Sequence, residues 1–208
     1  MRTIVFGATG RVGTCIVEQA LQAGHHVTAF VRDRRRLNQK FDGASIAEGN
    51  VLDKPAVRAA LLPGFDAVIN AIGESSLKPS TLVTDSVANI ASAMHATGNT
   101  RFLGVSGIAE MDRMTPLGKL TIAVLRVTPV GHAIRDHDGA LQVLKQSGLR
   151  WMLAGCGYIK TGPRRNRYRT SLVLEGGFKV IHPPDVADLI VRELTEEKYT
   201  GQVVGIWY

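Results

Sequence analysis

The feature that most constrains this chain is a glycine-rich turn near its start, Gly7-Ala8-Thr9-Gly10-Arg11-Val12-Gly13. An apolar segment at residues 3–6 precedes the turn, and apolar residues at helical spacing follow it. In such a strand–turn–helix unit, the first glycine permits the tight turn. The second lets a pyrophosphate approach the backbone, and the third lets the helix pack closely on the strand. Because a helix N-terminus also offers free amides to phosphates, we predict a dinucleotide-binding turn, with a purely structural turn as the alternative.

Short apolar segments and longer amphipathic segments alternate along most of the chain. Further strands are predicted at residues 27–31, 45–48, 67–71, 101–105, 151–154 and 203–207, with helices between most of them. This order predicts an α/β fold: a Rossmann-like, doubly wound parallel sheet with helices on both faces. We interpret residues 1–208 as one NAD(P)-binding domain.

Two segments depart from this rhythm. Residues 107–128 are apolar without a clear period, which indicates an irregular loop beside a substrate. Residues 168–174 and 178–181 flank Glu175-Gly176-Gly177 and are predicted to pair as a small C-terminal hairpin. Residues 155–183 are therefore expected to contribute the substrate side.

The end of the second predicted strand bears on the choice of cofactor. An acidic residue there holds the ribose hydroxyls of NAD, whereas arginine pairs with the 2′-phosphate of NADP. Arg32 occupies this place, with Arg34, Arg35 and Arg36 after it. We predict NADP(H), although Asp33 could reach the ribose and a solvated basic turn is the plain alternative.

The 208 residues carry a net charge of +7, which is compatible with an anionic partner. The basic residues form two clusters, the first at positions 32–40. The second cluster comprises Lys160, Arg164, Arg165, Arg167 and Arg169. Few aromatic residues accompany them, so nucleic acid is not the favoured partner. If the second cluster overhangs the nicotinamide, it should attract anionic acceptors; the alternative is a solvated loop.

Other features bear on compartment and metal binding. Two cysteines make neither a disulfide scaffold nor a zinc site, so a cytoplasmic location is expected. We expect no signal peptide, no membrane span and no metal site. A monomer or weak homo-oligomer is expected.

The order of motifs resembles an atypical short-chain dehydrogenase/reductase. The resemblance is strongest to the flavin reductase/biliverdin-IXβ reductase group, with NmrA-like NAD(P)-binding proteins as near relatives. It rests on the glycine turn and on Phe30-Val31-Arg32-Asp33, Asp66-Ala67-Val68-Ile69, Asp136-His137 and Ser147-Gly148-Leu149. The group's segment after the sixth strand is replaced here by Gly155-Cys156-Gly157-Tyr158, so the substrate side differs.

The resemblance implies roles for individual residues. Arg32 and Arg36 would bind the 2′-phosphate, Asn50 and Val51 would lie beside the adenine, and Ser106 would lie by the nicotinamide. The full set of implied cofactor-binding residues is Gly7, Thr9, Gly10, Arg11, Val12, Gly13, Arg32, Arg36, Asn50, Val51, Ala71, Ile72, Gly73 and Ser106.

One absence separates this chain from orthodox short-chain dehydrogenases: no tyrosine is followed four residues later by lysine. Without that acid pair, we expect NADPH-dependent hydride transfer to a planar conjugated acceptor, namely a flavin, quinone or linear tetrapyrrole. The alternative is a non-catalytic NADP(H)-binding redox sensor that docks on a protein partner.

Several further side chains are candidates for the site. Ser106 and Tyr158 are the predicted catalytic residues; a local backbone role and a rim position are their alternatives. His137 is interpreted as a satisfied core histidine and Asp136 as a possible surface charge. The role of Cys156 stays open.

Overall fold

A computed structural model describes residues 1–37, 41–74 and 76–208. Strands occur at β1 (Arg2–Phe6), β2 (His26–Val31), β3 (Ser45–Glu48), β4 (Ala67–Asn70), β5 (Arg101–Gly107), β6 (Arg113–Met114), β7 (Arg150–Cys156), β8 (Tyr158–Ile159), β9 (Arg169–Ser171), β10 (Val173–Leu174), β11 (Val180–Ile181) and β12 (Gln202–Trp207). Helices occur at α1 (Arg11–Gln22), α2 (Lys54–Leu61), α3 (Leu82–Thr97), α4 (Pro116–Arg126), α5 (Val130–Ser147) and α6 (Pro183–Glu196). Short 3-10 turns cover Arg34–Arg36 and Ile108–Glu110.

The main sheet has the strand order β3-β2-β1-β4-β5-β7-β12-β9. Neighbours pair in parallel from β3 to β12, and only β9 joins antiparallel, on β12. The predicted Rossmann-like α/β fold is thus confirmed. The order of strands reverses between β1 and β4, and such a reversal opens a crevice at the carboxyl ends of the strands. The interpretation of residues 1–208 as one domain stays a prediction.

The pleat of β1 divides the core into two layers. Ile4 and Phe6 pack on one face with α2, α3 and α5, whereas Val5 packs on the other face with α1 and α6. Successive side chains of a strand point to opposite faces, so a strand buried on both sides is apolar at every position. This explains why the short segment at residues 3–6 has no polar face.

Two predictions about irregular segments were wrong. The segment at residues 107–128 contains a 3-10 turn, β6 and α4, whose start is marked by Thr115 accepting the Gly118 amide and by Pro116. Several apolar side chains of α4 are exposed, which hides its helical period; they are Leu117, Leu120 and Val124.

The predicted C-terminal hairpin does not form either. β10 pairs in parallel with β6, and β11 pairs in parallel with β8. Gly176 packs on α4 instead of closing a hairpin: a Cβ on Gly176 would lie 2.8 Å from a side-chain atom of Leu117. The two short strands therefore find partners that are distant in sequence.

Candidate active site

A cavity of about 750 Å³ lies at the carboxyl ends of the strands, beside the reversal of strand order. One side, the cofactor edge, is lined by Gly10, Arg11, Val12, Ala71, Ile72 and Gly73. The other side, the acceptor chamber, is lined by residues that include Ser106, Glu110, Thr121, Ile122, Leu125, Ile134, His137, Cys156, Tyr158, Leu174, Phe178 and Lys179. The chamber is mostly apolar because α4 and α5 face it with aliphatic side chains.

The glycine turn has the geometry that a bound pyrophosphate needs. Gly7 has a positive φ of +72°, and a Cβ there would lie 2.7 Å from the backbone of Ala71. A Cβ on Gly13 would lie 2.1 Å from the Gly7 carbonyl oxygen, so only glycine lets α1 approach β1 this closely. Two of the three turn glycines are thus required by backbone contacts.

The N-terminus of α1 is open towards the cavity. Gly10 is its N-cap residue and supplies no side-chain hydrogen bond to the first amides, and Gly10, Arg11 and Val12 line the cavity. The Arg11 guanidinium donates to the Ile159 carbonyl oxygen at 3.1 Å, which ties the turn to the segment after β7. These residues fit a dinucleotide pyrophosphate.

The end of β2 presents arginines to solvent. Arg32 is exposed, and Asp33 is engaged by Arg35, whose backbone amide and side-chain Nε both donate to Asp33 Oδ1 at 3.0 Å. Arg35 Nη2 also donates to Asp33 Oδ2 at 3.2 Å, so the guanidinium contacts both oxygens and holds the Asp33 carboxylate beside Arg35. The side chain of Arg36, and residue Lys40 of the first basic cluster, lie outside the described residues.

Two residues implied for the adenine side shape the backbone after β3. Asn50 Oδ1 accepts the Leu52 amide at 3.1 Å, and the Val51 carbonyl accepts Asn89 Nδ2 at 3.0 Å. Val51 is buried, whereas Asn50 and Thr9 of the glycine turn are exposed. Their contacts with a cofactor stay a prediction.

Three polar side chains meet at the floor of the acceptor chamber. Ser106, near the end of β5, has its Oγ 3.0 Å from Glu110 Oε2 and 3.0 Å from His137 Nδ1. Glu110 comes from the 3-10 turn after β5, and His137 comes from α5. His137 is partly buried and hydrogen-bonded, as predicted for a core histidine, and it also lines the cavity beside the predicted catalytic serine.

Burial favours the neutral forms of Glu110 and His137. The pKa of Glu110 is raised to about 8, chiefly because burial penalises its charged form. Burial also lowers the pKa of His137 and raises the pKa of the Cys156 thiol. Cys156 is therefore a protonated thiol in the cavity wall and not a nucleophile.

Tyr158 lies at the outer edge of the chamber, 56% exposed. Its ring is stacked on that of Phe178, with centroids 6.0 Å apart, and Phe178 is 81% exposed. This pair offers a flat apolar surface at the entrance. A catalytic role for Tyr158 stays a prediction.

A match to a known family agrees with this geometry. The family described as NAD(P)H-binding matches residues 7–197, which is most of the chain. The chain belongs to this NAD(P)H-binding family. The similarity begins at Gly7, where the glycine turn starts.

The curated relatives of this NAD(P)H-binding protein match it over part of its length. The photosystem II assembly factor Ycf39 of Synechocystis is 43% identical over 72 residues, which are 34% of this chain and 22% of Ycf39. The uncharacterized YwnB of Bacillus subtilis is 31% identical over 111 residues, or 53% of this chain and 49% of YwnB. The chain thus spans less than half the length of either relative in the match.

Solved structures resemble the whole chain. A Streptococcus pneumoniae protein provisionally named an NADH-flavin reductase is 25% identical, with a TM-score of 0.78 over 100% of this chain and 99% of that one. ChuY, an anaerobilin reductase from Escherichia coli O157:H7, is 18% identical, with a TM-score of 0.79 over 100% and 97%. A Veillonella parvula short-chain dehydrogenase/reductase in complex with NADP is 17% identical, with a TM-score of 0.77 over 100% and 94%. These likenesses confirm the Rossmann-like fold.

The second basic cluster does not border the cavity of this NAD(P)H-binding protein. Arg165, Arg167 and Arg169 line a separate surface cleft with Tyr168 and Tyr208. Arg164 pairs with Asp188, and the Arg165 guanidinium lies 4.4 Å from the centre of the Tyr208 ring. The expectation that this cluster overhangs the nicotinamide side was wrong, because the segment folds back over α6 and β12.

Two functional contacts were missed by sequence reasoning. Glu110 was not singled out, although a serine at a strand end followed four residues later by a carboxylate was a usable signal. Asp136 is not a surface charge: it is buried, and its carboxylate accepts the Val83 and Thr84 amides at 3.0 and 2.8 Å. It thereby caps the N-terminus of α3 from the neighbouring helix.

The described residues also bear on metals and membranes. They contain no group of three or more His, Cys, Asp or Glu side chains that could hold a metal ion. Within the same ranges, none of the helices combines the length and the apolar character that crossing a bilayer requires.

Proposed function

We propose that this protein is an NADPH-dependent reductase that transfers hydride to a planar conjugated acceptor: a flavin, a quinone or a linear tetrapyrrole. The observation that carries the proposal is that one cavity joins the open N-terminus of α1 to an apolar chamber, at whose edge two aromatic rings are stacked. A chamber of this kind favours a flat apolar molecule laid against the cofactor.

The choice of NADPH is supported by the end of β2. Arg32 is exposed there, while the Asp33 carboxylate that could hold a ribose is engaged by Arg35. A guanidinium at this place suits a 2′-phosphate. The Veillonella parvula relative in complex with NADP is consistent with this choice.

In the proposed reaction, the chain positions the cofactor and the acceptor and excludes water from between them. The glycine turn and α1 would hold the pyrophosphate, Arg32 and Arg36 the 2′-phosphate, Asn50 and Val51 the adenine side, and Ala71–Gly73 would pass below the cofactor. Bound NADPH supplies the hydride. Ser106 would lie beside the nicotinamide, and Tyr158 with Phe178 would stack on the acceptor.

The nature of the acceptor is supported by chemistry and by relatives. A conjugated system accepts hydride without the tyrosine–lysine acid pair that this chain lacks. One structural relative is named for flavin and another for anaerobilin, a tetrapyrrole product. An anionic acceptor would meet Arg11 and Lys179, the cationic side chains that line the cavity among the described residues.

Two assays test the proposal. Calorimetric titration should show tighter binding of NADPH than of NADH, and NADPH should be consumed with riboflavin, menadione or biliverdin as acceptor. Equal or tighter NADH binding would contradict the cofactor choice. If NADPH binds and every acceptor fails, the reductase proposal fails and the redox sensor that docks on a protein is favoured.

The remaining expectations stay predictions: a monomer or weak homo-oligomer, no nucleic-acid partner and a cytoplasmic location. Light scattering of the purified protein measures the first of these.

A further inference from the structure

A buried carboxyl group lies under the acceptor chamber, in a place that the proposed hydride transfer does not itself require. Glu110 is only 4% exposed. Its Oε1 has no hydrogen-bond partner among the described residues, and its Oε2 contacts Ser106. The carboxyl folds over Gly107, where a Cβ would lie 3.0 Å from Glu110 Oε2. Because burying an acid is costly, a carboxyl held here with one oxygen unpaired needs an explanation.

The contacts of Ser106 connect this carboxyl to the cavity. The Ser106 hydroxyl donates to Glu110 Oε2 at 3.0 Å when the carboxyl is ionised. When Glu110 is protonated, its O–H donates back to Ser106 Oγ, and the Ser106 hydroxyl turns to donate to His137 Nδ1, which is also 3.0 Å away. His137 then carries its proton on Nε2, which makes no hydrogen bond to any residue that the structure describes. His137 is one of the residues that line the cavity, where a bound acceptor would lie.

We propose that Glu110, Ser106 and His137 form a proton relay, and that the acceptor it serves is an α,β-unsaturated ketone or a similar conjugated carbonyl compound. The inference rests on the proposed reductase function and names the substrate class of that same site. The relay supplies the general acid that the absent tyrosine–lysine pair would otherwise supply.

The proton transfers balance as follows. NADPH is the reductant and leaves as NADP⁺: hydride bonds to the β-carbon of the acceptor, the electron pair of the carbon–carbon double bond shifts to join the α-carbon and the carbonyl carbon, and the π pair of the carbonyl group moves to its oxygen. His137 Nε2 gives its proton to that enolate, Nδ1 takes the proton of Ser106, and Ser106 takes the proton of Glu110. Glu110 is left as a carboxylate that accepts from Ser106, and solvent protonates it again after product leaves. His137 changes tautomer but never becomes charged.

The basicity of the product anion distinguishes a conjugated carbonyl from a flavin. Hydride addition to a flavin leaves a delocalised anion that is stable near neutral pH, so an enzyme-bound acid gains little. Hydride addition to an unsaturated ketone leaves a strongly basic enolate, so a positioned acid lowers the barrier considerably. A relay of three groups is therefore matched to the second kind of acceptor.

Other ionisable groups face Glu110 and share its environment. Asp138 on α5 raises the pKa of Glu110, and Cys156 on β7 and Arg126 on α4 also interact with it. Arg126 and Asp138 form an ion pair with an N–O distance of 2.7 Å, so their charges largely offset each other. With a pKa of about 8, Glu110 is a proton donor at neutral pH, and the rate of enone reduction should fall as pH rises above about 8.

The test compares two acceptors, benzylideneacetone and riboflavin, in the wild type, in three single variants and in the double variant of Glu110 and Ser106. Glu110→Gln keeps a donor to Ser106 but holds no transferable acidic proton. Ser106→Ala breaks the chain of contacts at its middle. The matched control is Asp112→Asn, which removes an exposed carboxyl two residues from Glu110 that pairs with Lys145 and does not line the cavity.

We expect Glu110→Gln to lower kcat for benzylideneacetone about 100-fold and to change kcat for riboflavin less than twofold. Ser106→Ala should lower benzylideneacetone reduction similarly, and the double variant should be no slower than either single one, because all three groups act as one path. Asp112→Asn should match the wild type. A loss of similar size for both acceptors would reveal a structural role and overturn the relay.

Two spectroscopic measurements need no turnover and remain decisive if a variant is unstable. The infrared spectrum of the wild type minus that of Glu110→Gln should show, at pH 7, the carbonyl band of a protonated carboxylic acid. Nitrogen NMR should show neutral His137 with its proton on Nε2. An ionised Glu110 or a charged His137 at pH 7 would overturn the relay.

The outcomes separate the two proposals. If the wild type reduces riboflavin but not benzylideneacetone, the reductase proposal stands and the conjugated-carbonyl inference is overturned. If it reduces neither these nor the other acceptors, both fail.

Discussion

The two sides of the cavity are assembled in different ways. The cofactor edge is formed by two short segments, residues 10–12 and 71–73, and the glycine turn at residues 7–13 is held in place by backbone contacts. The floor of the acceptor chamber joins Ser106, Glu110 and His137, which come from β5, a 3-10 turn and α5. The cofactor edge depends on glycines that have no side chain, whereas the floor of the acceptor chamber depends on three side chains that contact one another.

This difference determines how each side responds to change. In the glycine turn, a methyl group added at Gly7 or Gly13 meets fixed backbone, so the cost is steric and independent of pH. In the acceptor chamber, the contacts among Ser106, Glu110 and His137 depend on whether the Glu110 carboxyl is protonated. The stability that these contacts contribute therefore changes with pH. The following predictions test this contrast, in order of decreasing effect.

The largest effect is expected in the pH dependence of stability. The folded pKa of Glu110, about 8, exceeds its ordinary value of 4.5. The folded protein therefore keeps a proton that the unfolded chain releases between these values. This contribution is fully present below about pH 4.5 and is lost as pH rises through 8. Relative to Glu110→Gln, the wild type should lose on the order of 3–5 kcal/mol of unfolding free energy between pH 4.5 and 9.

Urea denaturation of both proteins across that pH range measures the difference. Asp112→Asn is the control, because its carboxyl is exposed, and it should follow the wild type. Parallel pH curves for the wild type and Glu110→Gln would mean that the chamber floor is not pH-sensitive.

In the glycine turn, Gly13→Ala should weaken NADPH binding through a steric clash alone. Its Cβ would lie 2.1 Å from the Gly7 carbonyl oxygen, so α1 must move away from β1. We expect a loss of about 2–3 kcal/mol of stability and about 100-fold weaker NADPH binding, both unchanged between pH 6 and 8. Calorimetry and urea denaturation measure these effects. Gly73→Ala, where no atom lies within 4 Å of the new Cβ, should keep wild-type stability. Equal destabilisation by both would refute the steric explanation.

A smaller effect is expected from Arg32→Gln, which removes an exposed charge at the end of β2. NADPH should bind about 10-fold more weakly, since a charge-assisted contact to the 2′-phosphate is lost, and NADH binding should hardly change. Arg113→Gln, an exposed arginine on β6, is the matched control. If NADPH and NADH weaken equally, Arg32 does not read the 2′-phosphate.

The smallest effect concerns the second basic cluster. Arg165 stacks on Tyr208 outside the cavity, whereas Lys179 lines it. Arg165→Gln should change KM for flavin mononucleotide less than twofold, and Lys179→Gln should raise it several-fold at low ionic strength. Steady-state assays at low and physiological salt measure both. A larger effect at Arg165 would restore the role that its place in the sequence suggested.

Much of the cofactor edge could be predicted because its signals are local. The glycine turn, the arginine after β2 and the helix ends at Gly98 and Gly148, both left-handed, are each encoded within a few residues. The strand–helix alternation then limits the topology to a parallel sheet. The failures fall where partners are distant: β10 and β11 pair with β6 and β8, and α4 shows apolar side chains to solvent.

Local sequence thus specified the glycine turn and the left-handed helix ends, since each depends on the conformation of one short segment. The alternation of strands and helices along the chain specified the parallel sheet. Tertiary structure alone decided that Glu110 would be buried, that Ser106 would touch it and His137 at once, and that the second basic cluster would turn away from the cavity. The physical reason is that burial and proximity depend on strand order and helix packing. A carboxylate that reads in the sequence as an ordinary surface charge becomes an acid only when its neighbours remove it from water.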